Sequence, residues 1–244
     1  MIRRHLQVSK EFLAKDKKMK IGIISDIHAD QEALIGALQL LEEQQVDTIL
    51  CAGDSVEKGP DGDLVVQTLQ EYLIPSVMGN HDFNAIQHHK KQLAEEQTLI
   101  PHKGHEGNAY LESLHPIDHE PPLQPETIEQ LTTLPMTRTY LWEGLWLMVA
   151  HATPEKFDEK LFLFSPPKKF KRVAQKAHVD ILILGHTHEP MRGCFLGTHF
   201  FNPGSVCKRR PRDSHTCAIL ELPTLEYKVF DIALQKEISI PFLS

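Results

Sequence analysis

The sequence predicts an α/β domain, and three observations carry that prediction. Short apolar runs, several rich in β-branched residues, recur at 21–24, 48–52, 74–78, 145–150 and 179–184, each the length of a buried strand. Between the first two runs the apolar spacing changes to 3.6 residues, so the order is strand, helix, strand, which implies a right-handed crossover and parallel pairing. Each run is followed at once by residues able to do chemistry: Asp26-Ile27-His28, Gly53-Asp54, Gly79-Asn80-His81-Asp82, His151-Ala152-Thr153 and Gly185-His186-Thr187-His188. Side chains placed repeatedly just past strand ends converge at one edge of a sheet, where open α/β folds put their sites.

Residues 1–18 are expected to be an N-terminal extension, with Leu6, Phe12 and Leu13 on a weak amphipathic pattern, and residues 19–244 a single domain. Ile21 to Ser25 is the first strand. Asp30 reads as a helix N-cap, with Glu32 in the first turn and Ala33, Leu34, Ala37, Leu38 and Leu41 as the apolar stripe. Residues 46–52 form the second strand. Gly59-Pro60-Asp61-Gly62-Asp63 opens a second helix with Leu64, Val65, Leu69 and Tyr72 inward, and residues 73–78 are a third strand. The pattern then weakens. Residues 84–135 are expected to be a lid-like insertion holding a helix candidate at His88 to Gln97, a proline-rich stretch, and a short helix at Glu126 to Leu131. Alternation around Glu143-Gly144 makes 137–150 a β-hairpin. Phe157 to Phe164 is an apolar loop or helix near the site, and Lys168 to Lys176 is a basic helix. Thr198 to Phe201, His215 to Leu222 and Leu225 to Asp231 are the last strands.

The chain of 244 residues has room for one substantial α/β domain, and 41% hydrophobic with 24% charged residues is the balance of a soluble globular protein. A formal net charge of −7 argues against a general nucleic-acid binder. No apolar run approaches the roughly 20 residues of a membrane span, and Arg3, Arg4 and Lys10 are followed by no secretory apolar stretch. Cys51, Cys194, Cys207 and Cys217 have no metal or disulfide spacing, which fits free thiols in a reducing cytoplasm. Six further histidines crowd positions 88–119; their spacing fits no ligand pattern, and a lid with incidental histidines is preferred over a third metal site.

Imidazoles at 186 and 188 suit transition metals, and the other strand ends add carboxylates and an amide. The order Asp26-x-His28, Gly53-Asp54, Gly79-Asn80-His81-Asp82, His151, Gly185-His186-x-His188 resembles the calcineurin-like metallophosphoesterases over about residues 19–230. Gly59-Pro60 and Phe201-Asn202-Pro203-Gly204-Ser205 resemble the small prokaryotic phosphodiesterase branch. The resemblance implies a two-sheet β-sandwich flanked by helices. It also implies a binuclear metal-dependent hydrolase of phosphate esters, with a phosphodiester as first choice. Asp54 would bridge two divalent ions; Asp26, His28 and His188 would complete one site, and Asn80, His151 and His186 the other. Manganese is the expected metal, with Fe, Zn, Ni or Co able to use the same ligands. A metal-bound hydroxide would attack in line. The alternatives are a phosphomonoesterase or dinucleoside polyphosphate hydrolase, and, less favoured, a non-catalytic scaffold like the retromer subunit of this fold.

By the same resemblance His81 contacts the phosphate and protonates the leaving oxygen, against the alternative of an orienting hydrogen bonder, and Asp82 is expected to hold its other ring nitrogen. Lys58 stands where the protein-phosphatase branch has an arginine, so a bidentate clamp is lost. It is read either as a point-charge phosphate contact or as a solvated surface lysine. Asn202 is a candidate near the metal site, as support rather than ligand. Arg209, within the basic run 208–212, is a candidate substrate-phosphate contact against the alternative of a solvated face. The expected partner is a small phosphate ester; membrane and nucleic acid are disfavoured, and a homo-oligomer is open.

Overall fold

Two sheets face each other in the computed structural model, which describes residues 18–98 and 121–244. In the first sheet β1 (Met19–Ile24) is central. It pairs in parallel with β2 (Thr48–Cys51) and antiparallel with β8 (Thr216–Leu222), and β9 (Glu226–Asp231) and β10 (Lys236–Ile238) extend that side. The second sheet runs β11 (Phe242–Leu243), β6 (Met191–Phe195), β7 (Thr198–Asn202), β5 (Ile181–Ile183), β4 (Leu145–Ala150), β3 (Thr137–Trp142).

The pleat of β1 sorts its side chains between two cores. Ile21 and Ile23 point between the sheets, where Leu50, Leu147, Val149, Ile181, Ile183 and Phe201 meet them. Ile24 joins the outer core, formed with Leu34, Leu38 and Leu41 of α1 (Gln31–Glu43) and with Cys217 and Ile219. On the far side α5 (Pro167–Ala177) covers the second sheet through Phe170, Val173, Ala174 and Ala177. Phe170 stacks on Phe195 with ring centroids 4.5 Å apart and meets Phe200 edge-on at 5.4 Å. Truncating so buried a ring to alanine costs about 3–5 kcal/mol. Helix, sheet, sheet, helix is the layering the resemblance implied. A smaller cluster of Val56, Val66, Ala85, Ile86, Ile128 and Leu131 joins α2 (Gly62–Glu71), α3 (Asn80–Thr98) and α4 (Pro125–Thr132).

Asp30 caps α1 as expected, its side chain accepting from Ala33 N. Several expectations need correction. Residues 73–78 do not form a strand; a single parallel bridge, Cys51 to Ser76, is all that pairs there. The buried face of α2 is Val65, Val66 and Leu69, with Leu64 and Tyr72 exposed, so the stripe is rotated toward Val66. The helix expected at 88–97 begins at Asn80, putting the Asn80-His81 pair on its first turn. Strands β6, β10 and β11 lack the alternation that would have announced them. The extension at 1–17 and the middle of the insertion, with His102, His105, His115 and His119, lie outside the described residues. Among the described residues, no helix is long and apolar enough to cross a membrane.

Candidate active site

The loops after β1, β2, β4 and β5 meet at one edge of the two sheets and are tied by backbone hydrogen bonds. Asp26 N donates to Gly53 O, Ile27 N and His28 N both donate to Asp54 O, and Ala29 N donates to Ser55 O. Gly185 N donates to His151 O, and Val206 N to Ser25 O. The close approach requires glycine at two points. A Cβ on Gly79 would lie 2.1 Å from Asp54 Oδ1, and one on Gly185 would lie 1.9 Å from Ser25 Oγ. Asp26, His28, Asp54, His186 and His188 all have positive φ, from +50° to +66°. Such conformations cost on the order of 1–3 kcal/mol each in non-glycine residues and persist where surrounding contacts hold them.

Those side chains form two groups. In the first, Asp26, His28 and His188 place their ligand atoms within 4.8 Å of one another, and in the second Asp54, His151 and His186 do the same. Asp54 lies between the groups: its Oδ2 is 3.1 Å from His151 Nε2 and 3.8 Å from His28 Nε2. Asn80 Oδ1 is 3.1 Å from His151 Nε2. The sequence therefore brings all seven expected ligands together.

A family model described as the calcineurin-like phosphoesterase superfamily domain matches residues 19–224. The chain belongs to this superfamily. It is a phosphoesterase-type hydrolase of a divalent-metal-dependent family. It is 25% identical over 214 residues to the uncharacterized protein MJ0912 of Methanocaldococcus jannaschii, covering 80% of this chain and 79% of that one. Two crystal structures have a similar fold. One is hypothetical protein PH1004 from Pyrococcus horikoshii OT3, with a TM-score of 0.68, 17% identity and 87% of each chain covered. The other is a metallophosphoesterase from Sphaerobacter thermophilus, with a TM-score of 0.64, 23% identity, 87% of this chain and 86% of that chain covered.

The donor set of this phosphoesterase fits divalent cations. His28 Nε2 and His188 Nε2 face each other at 3.2 Å, an approach that suits a shared cation better than two protons. Asp26 Oδ1 is fully buried and accepts no hydrogen bond, although His188 Nε2 lies 3.2 Å away. Its other oxygen is satisfied by Ser25 Oγ at 2.6 Å and His186 N at 2.9 Å.

Burial opposes charge throughout the site, and the neighbours decide where charge survives. Burial pushes His28 down to about 3, and with His151 nearby pushes His186 down to about 4. Burial also works against His151 and His188, but Asp54 outweighs it at the first, and Asp213 with Asp26 at the second, so both rise to about 9. In return the same imidazoles overcome burial at the carboxylates: His188 and His151 hold Asp26 down to about 2, and His151 holds Asp54 well below the usual range. Each group thus pairs a neutral imidazole with a proton-holding one.

Three residues sit differently from expectation. Asp82 does not touch the ring of His81. Its carboxylate accepts from the backbone N–H groups of Asp54, Ser55, Val56 and Gly79, so it braces the Asp54 loop. Burial and the charge of Asp54 raise it to about 6. The partner of His81 Nδ1 is Glu57, at 2.5 Å. Lys58 is not a solvated surface lysine: its Nζ reaches within 3.3 Å of His28 Nε2 at the cleft, and burial with Arg210 nearby lowers its pKa. Asn202, read as support and not as a ligand, is buried and does not line the cleft. Its amide donates to Gly185 O and Thr187 Oγ1 and accepts from Gly204 N, which holds the His186–His188 loop. Arg209 turns away toward Asp30 and Asp61, and Arg210 and Arg212 line the cleft instead.

Three supporting contacts had no signal in the sequence. Asp213 accepts from His188 Nδ1 at 2.8 Å across 25 positions of chain and is itself gripped by Arg210. Ala52 O takes His151 Nδ1 at 2.7 Å, and Asp158 O lies 3.2 Å from His186 Nε2. Carbonyl partners are invisible in a sequence. Glu57 had one readable cue, its place five residues before the start of α2 in a run that begins with Gly53-Asp54.

Proposed function

We propose that this phosphoesterase hydrolyses phosphodiesters with two divalent ions, manganese being the first choice for an oxygen and imidazole donor set without thiolate. The observation that carries the reading is Asp54, one carboxylate within reach of both ligand groups. Asp26, His28 and His188 would hold one ion, and Asn80, His151 and His186 the other. Two such ions, when bound, lower the pKa of water and neutralise phosphate oxygens.

The chain's own groups do the rest. Asp54 Oδ1 accepts from His81 N at 2.8 Å, which fixes His81 beside the ligands. Glu57 takes Nδ1–H of that ring, leaving Nε2 as the nitrogen that carries a proton to a leaving alkoxide. Glu57 orients the ring, the task expected of Asp82. Lys58 adds one point charge. A diester carries a single negative charge and asks less of such a clamp than a monoester dianion, which would favour a bidentate arginine. The cleft, about 1070 Å³, leaves room for organic groups on both sides of a phosphate. The four free cysteines, three of them buried, support a reducing, cytoplasmic setting.

Manganese-loaded protein is expected to cleave bis(p-nitrophenyl) phosphate faster than p-nitrophenyl phosphate, with two ions per chain by elemental analysis. His81→Ala should keep both ions and lose most activity on a diester with a poor leaving group. Full metal content with no hydrolysis of any phosphate ester would refute the reading.

A further inference from the structure

We propose that one wall of the cleft is a nucleotide subsite, in which Phe162 and Phe164 stack a planar base while Arg212 and Lys160 hold a phosphoryl group beyond the one hydrolysed. The proposal rests on the phosphodiesterase reading only for which phosphate reacts. Lys160, Phe162, Phe164 and Arg212 have no part in the machinery described above, yet all line the cleft that holds Asp54 and His81.

The aromatic wall is built and held. Leu161 is buried in the core under α5, and Glu159 is paired with Arg172 and Lys169 on that helix. A tight turn closes the segment, with Phe162 N donating to Ser165 Oγ and Ser165 N donating to Phe162 O. These anchors present the rings of Phe162 and Phe164 parallel, 4° between planes and 5.2 Å between centroids. Phe164 is 79% exposed, so its ring contributes little to the core. An exposed aromatic pair beside a phosphate site offers a π-face that any nucleobase can use.

Lys160 of the same segment and Arg212 of the basic run supply charge that the fold does not consume. Arg210 is pinned by Asp213, but Arg212 and the Lys160 ammonium make no ion pair or side-chain hydrogen bond among the described residues. Two unpaired cations at the rim suit a second phosphate. The net charge of −7 opposes a polynucleotide, so the ligand is a small nucleotide with at least two phosphoryl groups.

The test is equilibrium binding of α,β-methylene-ADP, methylene diphosphonate and AMP to the manganese-loaded full chain by calorimetry, with no turnover required. The methylene-ADP is expected to bind at least about tenfold tighter than either fragment. Phe164→Ala should erase the advantage over methylene diphosphonate while leaving affinity for the diphosphonate unchanged. Arg212→Gln with Lys160→Gln should erase the advantage over AMP. All three positions are exposed, and unchanged melting would confirm that the fold is intact. Equal affinities for the three ligands, or an undiminished preference in Phe164→Ala, overturn the proposal, as does an oligonucleotide that binds tighter than methylene-ADP. A protein that shows the preference but cleaves no phosphate ester refutes the catalytic reading and leaves this subsite standing; an active enzyme without the preference does the reverse.

Discussion

The two ligand groups have the same composition of one carboxylate and two imidazoles but different support. In the first, Asp26 and His28 are fully buried, and His188 leans on a carboxylate, Asp213. In the second, His151 leans on the carbonyl of Ala52, while His186 is only part-buried and its Nε2 lies beside the carbonyl of Asp158. A carboxylate behind an imidazole raises its basicity more than a carbonyl does, and buried ligands move less. On the two-ion reading proposed above, the first group should retain its ion more tightly, and the second, with part-buried His186 and neutral Asn80 at its side, should exchange its ion more readily. Chelator titration of loaded protein should release one ion per chain well before the other.

The largest effect should come from joining the groups' fates. Asp54→Ala removes the carboxylate that lies between them and is expected to lower kcat/KM by on the order of a thousandfold or more, with both ions weakened. Elemental analysis showing two tightly held ions in this variant would break the idea of a shared carboxylate. A sharper probe separates the groups. Asp213→Asn should weaken one ion only, by roughly 10–100-fold, because the support behind His188 loses its charge. Equal weakening of both ions would sink the comparison. Glu57→Gln, by contrast, should leave metal stoichiometry alone and reshape the pH profile of kcat.

Next in size is a pH effect that the two groups share. His151 and His188 are raised to about 9, above the ordinary histidine value of 6.5, so in metal-free protein each contributes stability that is fully present below pH 6.5. That contribution is lost as pH rises through about 9. His28 and His186 are depressed to about 3 and 4 and stay neutral across this window. The melting temperature of chelator-treated protein should therefore fall between pH 6.5 and 9. Metal ions compete with the same two protons, so metal affinity should rise over that interval, about one proton being released per ion. A flat melting profile in chelator, or affinity that falls with pH, would contradict the assignment of protons.

The candidate ligands that converge here were legible in sequence because each closely follows an apolar run; for Asp26, Asp54, His151, His186 and His188 that run is a strand whose end fixes where the next residues go, whereas Asn80 follows a segment with a single bridge. The core stripes of α1 were legible for the same reason, periodicity. What was hidden is long-range or made by the backbone. Asp213 lies beyond β7, in an irregular loop, and only the tertiary fold brings it to His188. Asp82 looked like a partner for its neighbour His81, but on the first turn of α3 it faces backward to the amides of the Asp54 loop, as a carboxylate at a helix N-terminus readily does. Arg209 and Arg210 are adjacent, and the chain turn that sends one to Asp30 and the other to Asp213 has no periodic signature.

The smallest expected effect tests whether the groups are independent at their edges. Asp30 sits two residues past His28, where one oxygen caps α1 through Ala33 N and the other meets Arg209 Nε at 3.3 Å. Asp30→Ala should cost about 1 kcal/mol for the lost cap, roughly 2–4 °C in melting temperature for a domain of this size. Because the His28 loop continues into that cap, a slight loosening of the first group should accompany the change, smaller than that of Asp213→Asn. The second group takes His151 and His186 from the ends of β4 and β5 and meets the His28 loop only through the Asp54 loop, so its ion should be weakened less than the first. Calorimetric titration of both ions in Asp30→Ala reads the two effects together. A loss spread equally over the pair would mean that the loops at 26–29 and 185–188 move as one body, and that the difference in support behind His188 and His186 does not divide the site.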